Sequence, residues 1–250
     1  MKLAIAGKGG VGKTTLSSLL CYAFLEDGKD VIAVDANPDS NLGEALGFSK
    51  DELSSLKPIA ELDEIIRERT GITGGVFRLN PKVDDIPERF SLKKGRLRFI
   101  LMGKVKRGGE GCFCPESAFL RSLLSHLVLR SREVVVMDMD AGVENLTRGT
   151  ARGVDALIVV VEPGRRSIET ALAVKELSRD LGINKVYAVG NKIRGDEASF
   201  LKESIPLQFL GFIKFDERLI KADMEGKPPH TASPEAFREA KSIKSKLEGR

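Results

Sequence analysis

The chain has 250 residues, enough for one large α/β domain with a well-buried core. Lys and Arg outnumber Asp and Glu by 40 to 36, and the resulting +4 is too mild to imply nucleic acid as a partner. Three cysteines do not make a disulfide framework; they predict a reducing compartment, the cytoplasm, with reactive or metal-binding thiols.

In chain order, the apolar start MKLAIAG is cut off by Gly7 and Lys8 before a signal-peptide core can form. No later run approaches the roughly 18 apolar residues of a membrane span, so a soluble, unexported protein without a membrane partner is expected. Strand-like runs lie at 2–6, 30–35, 133–140, 155–162 and 186–190. Between them, helix-length segments carry apolar residues at three- and four-residue spacing: Leu16, Leu19, Leu20, Ala23 and Phe24 in one, Leu172, Val174, Leu177 and Leu181 in another. DALIVVVE is apolar on both faces, as a strand covered by helices on both sides must be. The expected fold is a doubly wound α/β sandwich with a mostly parallel sheet, one domain over 1–250. The stretch 50–115 breaks the rhythm and reads as an insertion, with a charged helix ELDEIIRERTG, a strand-like VFRLN, the turn-rich NPKVDDIPERF and a strand LRFILMG. The basic KKGRLR at 93–98 reads as solvated surface, and the modest apolar stripe Phe237, Ala240, Ile243, Leu247 predicts a last helix docked on its own domain.

The strongest motif joins the first strand to the first helix. Gly7, Gly9 and Gly12 fit the dinucleotide fingerprint G-x-G-x-x-G, with Asp35 where a ribose-binding acid would stand. The same stretch also fits G-x-x-x-x-G-K-T, and a dinucleotide site has no use for Lys13 and Thr14. In a P-loop the backbone N–H groups of Gly9, Gly10, Val11, Gly12, Lys13, Thr14 and Thr15 line one phosphate cradle. Lys13 reaches the β- and γ-phosphates of ATP, and the Thr14 hydroxyl faces Mg²⁺. A second carboxylate at a neighbouring strand end completes such a site, and Asp138 in EVVVMDMDAG fits; its alternative is a turn-capping acid.

Lys8, directly after the first glycine in GKGGVGKT, makes the loop resemble that of the deviant Walker A ATPases, a family that includes the nitrogenase iron protein and cell-division and plasmid-partitioning ATPases. That resemblance implies a homodimer facing across two nucleotides, with Lys8 of each chain reaching the phosphates bound by the other. It also implies that Asp35 orients the attacking water, that Asp39 helps hold the magnesium hydration shell, and that AGVENLTRGTARGVD is a switch that follows nucleotide state. Asn191 in VGNKIRG falls where the family contacts adenine. An Asx turn at Asp39 and a strand-end cap at Asn191 remain the structural alternatives.

Cys112 and Cys114, in GGEGCFCPES, supply half of a tetrahedral site, and neither Cys21 nor His126 lies where it would complete it. A two-fold axis doubles the pair to four thiolates. In an extended strand the two side chains stand about 7 Å apart, so the loop must turn, and Gly108, Gly109, Gly111 and Pro115 allow it. A local redox disulfide or two inert thiols are the alternatives. The P-loop, VDANPDSNLG, LNPKVD, MGKVKRGGEGCFC, VVVMDMDAGVENLTRGTA and VEPGRRSIETAL together resemble the CooC-type ATPases, the nickel-insertion proteins of carbon monoxide dehydrogenase and acetyl-CoA synthase maturation, over nearly the whole chain. That likeness implies an ATPase that carries Ni²⁺, with Zn²⁺ equally suited to four thiolates, and one of those enzymes as target. Asp140 departs from the family, where a small residue is expected. The rival readings are a nitrogenase-like iron–sulfur reductase and a positioning ATPase that binds DNA or membrane.

Overall fold

A run such as LAIA, apolar on every residue, has no exposed face to offer, so it folds only where helices can cover both of its sides. In the computed structural model, which describes residues 1–37, 41–71, 76–103, 114–130, 132–139 and 153–249, this run is β1 (Lys2–Ala6), buried along its whole length. The other strands are β2 (Val31–Asp35), β3 (Leu92–Lys94), β4 (Leu97–Leu101), β5 (Val134–Asp138), β6 (Ala156–Val161), β7 (Val186–Ile193) and β8 (Gln208–Lys214). They form one sheet in the order β3-β4-β2-β5-β1-β6-β7-β8, parallel throughout except for β3 against β4. β1 lies between β5 and β6, and β2 lies on the far side of β5.

The helices are α1 (Lys13–Glu26), α2 (Leu42–Ala45), α3 (Lys50–Ser55), α4 (Asp63–Thr70), α5 (Ile86–Arg89), α6 (Pro115–Arg130), α7 (Arg165–Leu181), α8 (Glu197–Ser204), α9 (Glu217–Met224), α10 (Pro229–Ala232) and α11 (Pro234–Leu247). Two cores result, one on each face of the sheet. Leu3, Ile5, Ala33, Val136 and Ile158 pack under α1 and α11, through Leu16, Leu20, Phe24, Ala240 and Ile243. Ala4, Val34, Met137 and Val159 pack under α6 and α7, through Phe119, Leu123, Leu127 and Val174. This is the doubly wound sandwich expected from the alternating pattern. Among the described residues, no helix is long and apolar enough to cross a membrane.

Two expectations gain detail and two change. The stretch 50–115 contributes to the sheet: β4 runs parallel to β2 from Val31↔Leu97 to Asp35↔Leu101, and β3 closes that edge. KKGRLR spans the turn of this hairpin, with Lys93 opposite Arg98; Lys93 to Arg96 are exposed, as solvated surface should be, while Leu97 is buried. VFRLN forms a single bridge residue at Val76 and no strand among the described residues, and Val76 and Leu79 stand exposed. In α7 Leu172 faces outward, and the buried positions are Ser167, Ala171, Val174 and Ser178. β8, not anticipated, adds the far edge, and α11 docks against it and α1 as its stripe predicted.

Candidate nucleotide site

Parallel strands bring their C-terminal ends to one rim, so the ends of β1, β2, β5, β6 and β7 lie together there, where such folds bind ligands. The loop 7–12 leaves β1 and enters α1 through Gly12, whose φ of 98° is left-handed. A Cβ at Gly12 would collide with the Asn191 amide, and one at Gly7 with the Val160 carbonyl oxygen, so both positions require glycine. α1 starts with no side-chain cap and no acid in its first turn, which leaves its N–H groups, those of Lys13, Thr14 and Thr15 among them, open to an anion. Gly9 and Gly10 are exposed at the tip, and Val11 is buried beneath it.

Lys13 is buried, and its Nζ donates to the Gly7 carbonyl at 2.9 Å and to the Lys8 carbonyl at 3.3 Å, so the ammonium lies folded over the loop it serves. On the next residue, Thr14 Oγ1 donates to Asp138 Oδ2 at 2.6 Å. Asp138 is 1% exposed, and burial pushes its carboxyl up to about 7. The Asp35 carboxylate adds to that rise, while the Thr14 hydrogen bond, Lys13 and Ser17 oppose it. Its Oδ1 is buried and has no hydrogen-bond partner among the described residues, an orphan that a cation would satisfy. A hydroxyl beside a buried carboxylate is the hard-oxygen set that suits Mg²⁺, so the residues present fit that ion.

Asp35 and Asp138 are register partners on adjacent strands and face α1 together. Asp35 is fully buried, and its carboxylate accepts from the N–H groups of Asn37 at 3.1 Å and Leu42 at 3.1 Å. It therefore ties down both ends of the segment that holds Asp39, which itself lies outside the described residues. Asn191 is 5% exposed at the end of β7 and donates its amide to the Val11 carbonyl at 2.8 Å, bracing the loop from the side. Lys8 Nζ stands 3.7 Å from Glu162, just past β6, and that glutamate also pairs with Lys192 at 3.1 Å. Glu162 and Lys192 were missed in the sequence; for Glu162 the available signal was a charged residue at the C-terminal end of β6, which neighbours the P-loop strand, whereas Lys192 lies on β7, one strand further out.

Cys114 is described and Cys112 is not; Asp140, Gly108, Gly109, Gly111 and residues 141–152 of the proposed switch also lie outside. Cys114 immediately precedes α6, half-buried, its Sγ 3.2 Å from Ser117 Oγ. Cys21 is fully buried in α1, its thiol held neutral by desolvation. Among the described residues, no three His, Cys, Asp or Glu side chains gather as a metal site.

This sheet and loop are those of a nucleotide-binding class, and residues 2–108 match the CobQ/CobB/MinD/ParA nucleotide binding domain. Over 252 aligned residues, 99% of this chain and 96% of the other, the sequence is 42% identical to the carbon monoxide dehydrogenase accessory protein CooC of Rhodospirillum rubrum. It is also 42% identical to an uncharacterized ATP-binding protein of Methanocaldococcus jannaschii, over 91% of this chain and 90% of that one. The chain belongs to the CooC family. Its backbone also resembles the MinD cell division protein of Aquifex aeolicus, with TM-score 0.71 and 19% identity over 100% of this chain and 97% of that one, a likeness of fold.

Proposed function

We propose that the chain is an ATP-hydrolysing metallochaperone of the cytoplasm that dimerises with nucleotide. It would hold a divalent ion, nickel or zinc, between subunits through Cys112 and Cys114, and assist maturation of carbon monoxide dehydrogenase or acetyl-CoA synthase. The observation that carries this reading is the 42% identity to CooC along the whole chain, with the P-loop, Lys8 and Cys-x-Cys motifs intact.

The geometry supports the ATPase half. Lys13 needs only to swing from the Gly7 and Lys8 carbonyls to meet the phosphates, which replace two neutral acceptors with anionic ones. Thr14 and Asp138, with Asp39 through water, would hold Mg²⁺, which when bound neutralises phosphate charge. Asp35, held in place by the N–H groups of Asn37 and Leu42, would orient the attacking water. The half of the Asn191 amide not engaged with Val11 would face adenine. Lys8 of each chain would act on the nucleotide of the other, which makes the dimer the hydrolysing unit.

Four thiolates from two loops suit a single tetrahedral ion. The test is titration with zinc and nickel of the wild type and of Cys112→Ala/Cys114→Ala, with mass measured in parallel. The expected result is about one ion per two chains in the wild type, and in the variant loss of that ion with ATP binding retained. A metal-loaded monomer sinks the reading, and a brown chromophore after anaerobic purification replaces it with the iron–sulfur reductase.

A further inference from the structure

Glu162 and Lys192 have no part in the reading above, yet they surround its signature lysine. Glu162 presents Oε1 to Lys8 Nζ at 3.7 Å and Oε2 to Lys192 Nζ at 3.1 Å. Its own backbone is fixed, because Glu162 N donates to Ser167 Oγ at 3.1 Å in the first turn of α7. Lys192 also donates to the Gly10 carbonyl at 2.6 Å, at the tip of the phosphate loop. Among the described residues Lys192 alone, glycines apart, has a left-handed backbone, with φ 59°. Such a conformation persists in a lysine only where its surroundings hold it, and it is characteristic of functional sites.

We propose that Glu162 is a catch that holds Lys8 on its own subunit, that Lys192 tempers it by competing for the same carboxylate, and that nucleotide-driven pairing of two chains opens it. This rests on the proposed function, in which Lys8 serves the partner's phosphates. One ammonium cannot neutralise its own Glu162 and a phosphate across the interface at once, so every dimer must first break the Lys8–Glu162 pair. At 36% and 25% side-chain exposure that pair is wet enough to be weak, and a triphosphate outbids it. Before nucleotide arrives it keeps Lys8 from meeting an empty partner. Lys192 divides the same carboxylate and so weakens its grip on Lys8. The two residues thus act on dimerisation with opposite signs, which a merely structural role for either would not produce.

The experiment follows pairing of full-length chains against protein concentration by sedimentation, with a saturating non-hydrolysable Mg-ATP analogue. Glu162→Gln removes the charge and keeps the shape, and the midpoint should fall about two- to fivefold, the weight of one partly exposed ion pair. Lys192→Gln leaves Glu162 wholly to Lys8, and the midpoint should rise. Competitive acetylation of the nucleotide-free monomer gives a direct readout, with the Lys8 amine labelled faster in Glu162→Gln than in the wild type. A superimposable Glu162→Gln curve, or both variants moving the same way, overturns the catch while leaving the dimer reading intact. A wild type that never pairs at saturating analogue overturns the dimer reading, and the catch with it.

Discussion

Asp138 shows how a single buried atom sets the behaviour of the site. Its carboxyl is ordinary in kind but is held at about 7 by desolvation, with Asp35 on the next strand adding to the push. Between about pH 4 and 7 the folded chain therefore binds a proton that the unfolded chain has already released. Because the folded state carries more protons in that window, this group's contribution to stability falls as pH rises through it. Nucleotide-free Asp138→Asn, which keeps the Thr14 contact and cannot ionise, should gain on the wild type by about 2–3 kcal/mol between pH 5 and pH 8. Urea unfolding at the two pH values measures this; an unchanged difference shows that the carboxylate is stabilised by groups beyond Thr14 and Lys13. At the same scale, Gly12→Ala places a methyl on the Asn191 amide at a left-handed φ, and nucleotide binding should be lost at least tenfold, read by titration with a fluorescent ATP analogue.

The elements differ in how plainly the sequence announces them. The P-loop is contiguous, and its glycines, lysine and threonine stand in the order in which the backbone uses them, so it reads directly. β8 does not: its interior Gly211 weakens the strand signal, yet the glycine is required because a Cβ there would lie 2.7 Å from Ile243 of α11. Gly211→Ala should cost about 1–3 kcal/mol, and Ile243→Val should restore part of it, as thermal unfolding of the single and double variants will show. β3 escaped, and LRFILMG read as a strand without a place in the sheet, because strands inside an apparent insertion acquire meaning only when β2 offers an edge, a pairing that spans 66 residues between Val31 and Leu97. The Lys8–Glu162 contact escaped for the same reason, since nothing local to either residue records the other. His230 shows a further long-range effect: its ring stacks 3.4 Å from Tyr22 of α1 and meets Phe237 of α11 edge-on. Burial lowers His230 to about 4, so the folded form stays neutral while the unfolded chain takes a proton below about 6.5. Stability is thus lost as pH falls from 6.5 toward 4, and His230→Phe should flatten that limb of a denaturation–pH curve.

For the whole molecule, the question is how a nucleotide on the rim of a sheet reaches a pair of cysteines more than seventy residues after the second strand. The connection runs through the inserted strand. β4 lies against β2, Met102 N donates to the Asp35 carbonyl at 2.9 Å, and Ala60 N donates to the Met102 carbonyl at 2.9 Å, so the chain departs toward the cysteines from beside the anchor of the Asp39 segment. It returns at Cys114 into α6, whose Phe119, Leu123 and Leu127 lie in the same core as Ala4 of β1 and Met137 of β5. Both ends of the cysteine segment are thus fixed to the strands that carry the P-loop, Asp35 and Asp138. Under the proposed dimer, any closure that brings two nucleotide rims together moves β4 and α6 of each chain with it, the elements from which the cysteine segment departs and into which it returns. The two ligands then bias one equilibrium, and thermodynamics requires that each change the affinity of the other by the same factor, expected at about 5–150-fold. Zinc affinity with and without a non-hydrolysable ATP analogue gives one side of the cycle, and analogue affinity with and without zinc gives the other. Equal factors above unity are expected in the wild type, falling to unity in Cys112→Ala/Cys114→Ala; a factor of one on both sides in the wild type would mean that the cysteines and the nucleotide act independently, and the clamp would be wrong even if each site binds its ligand.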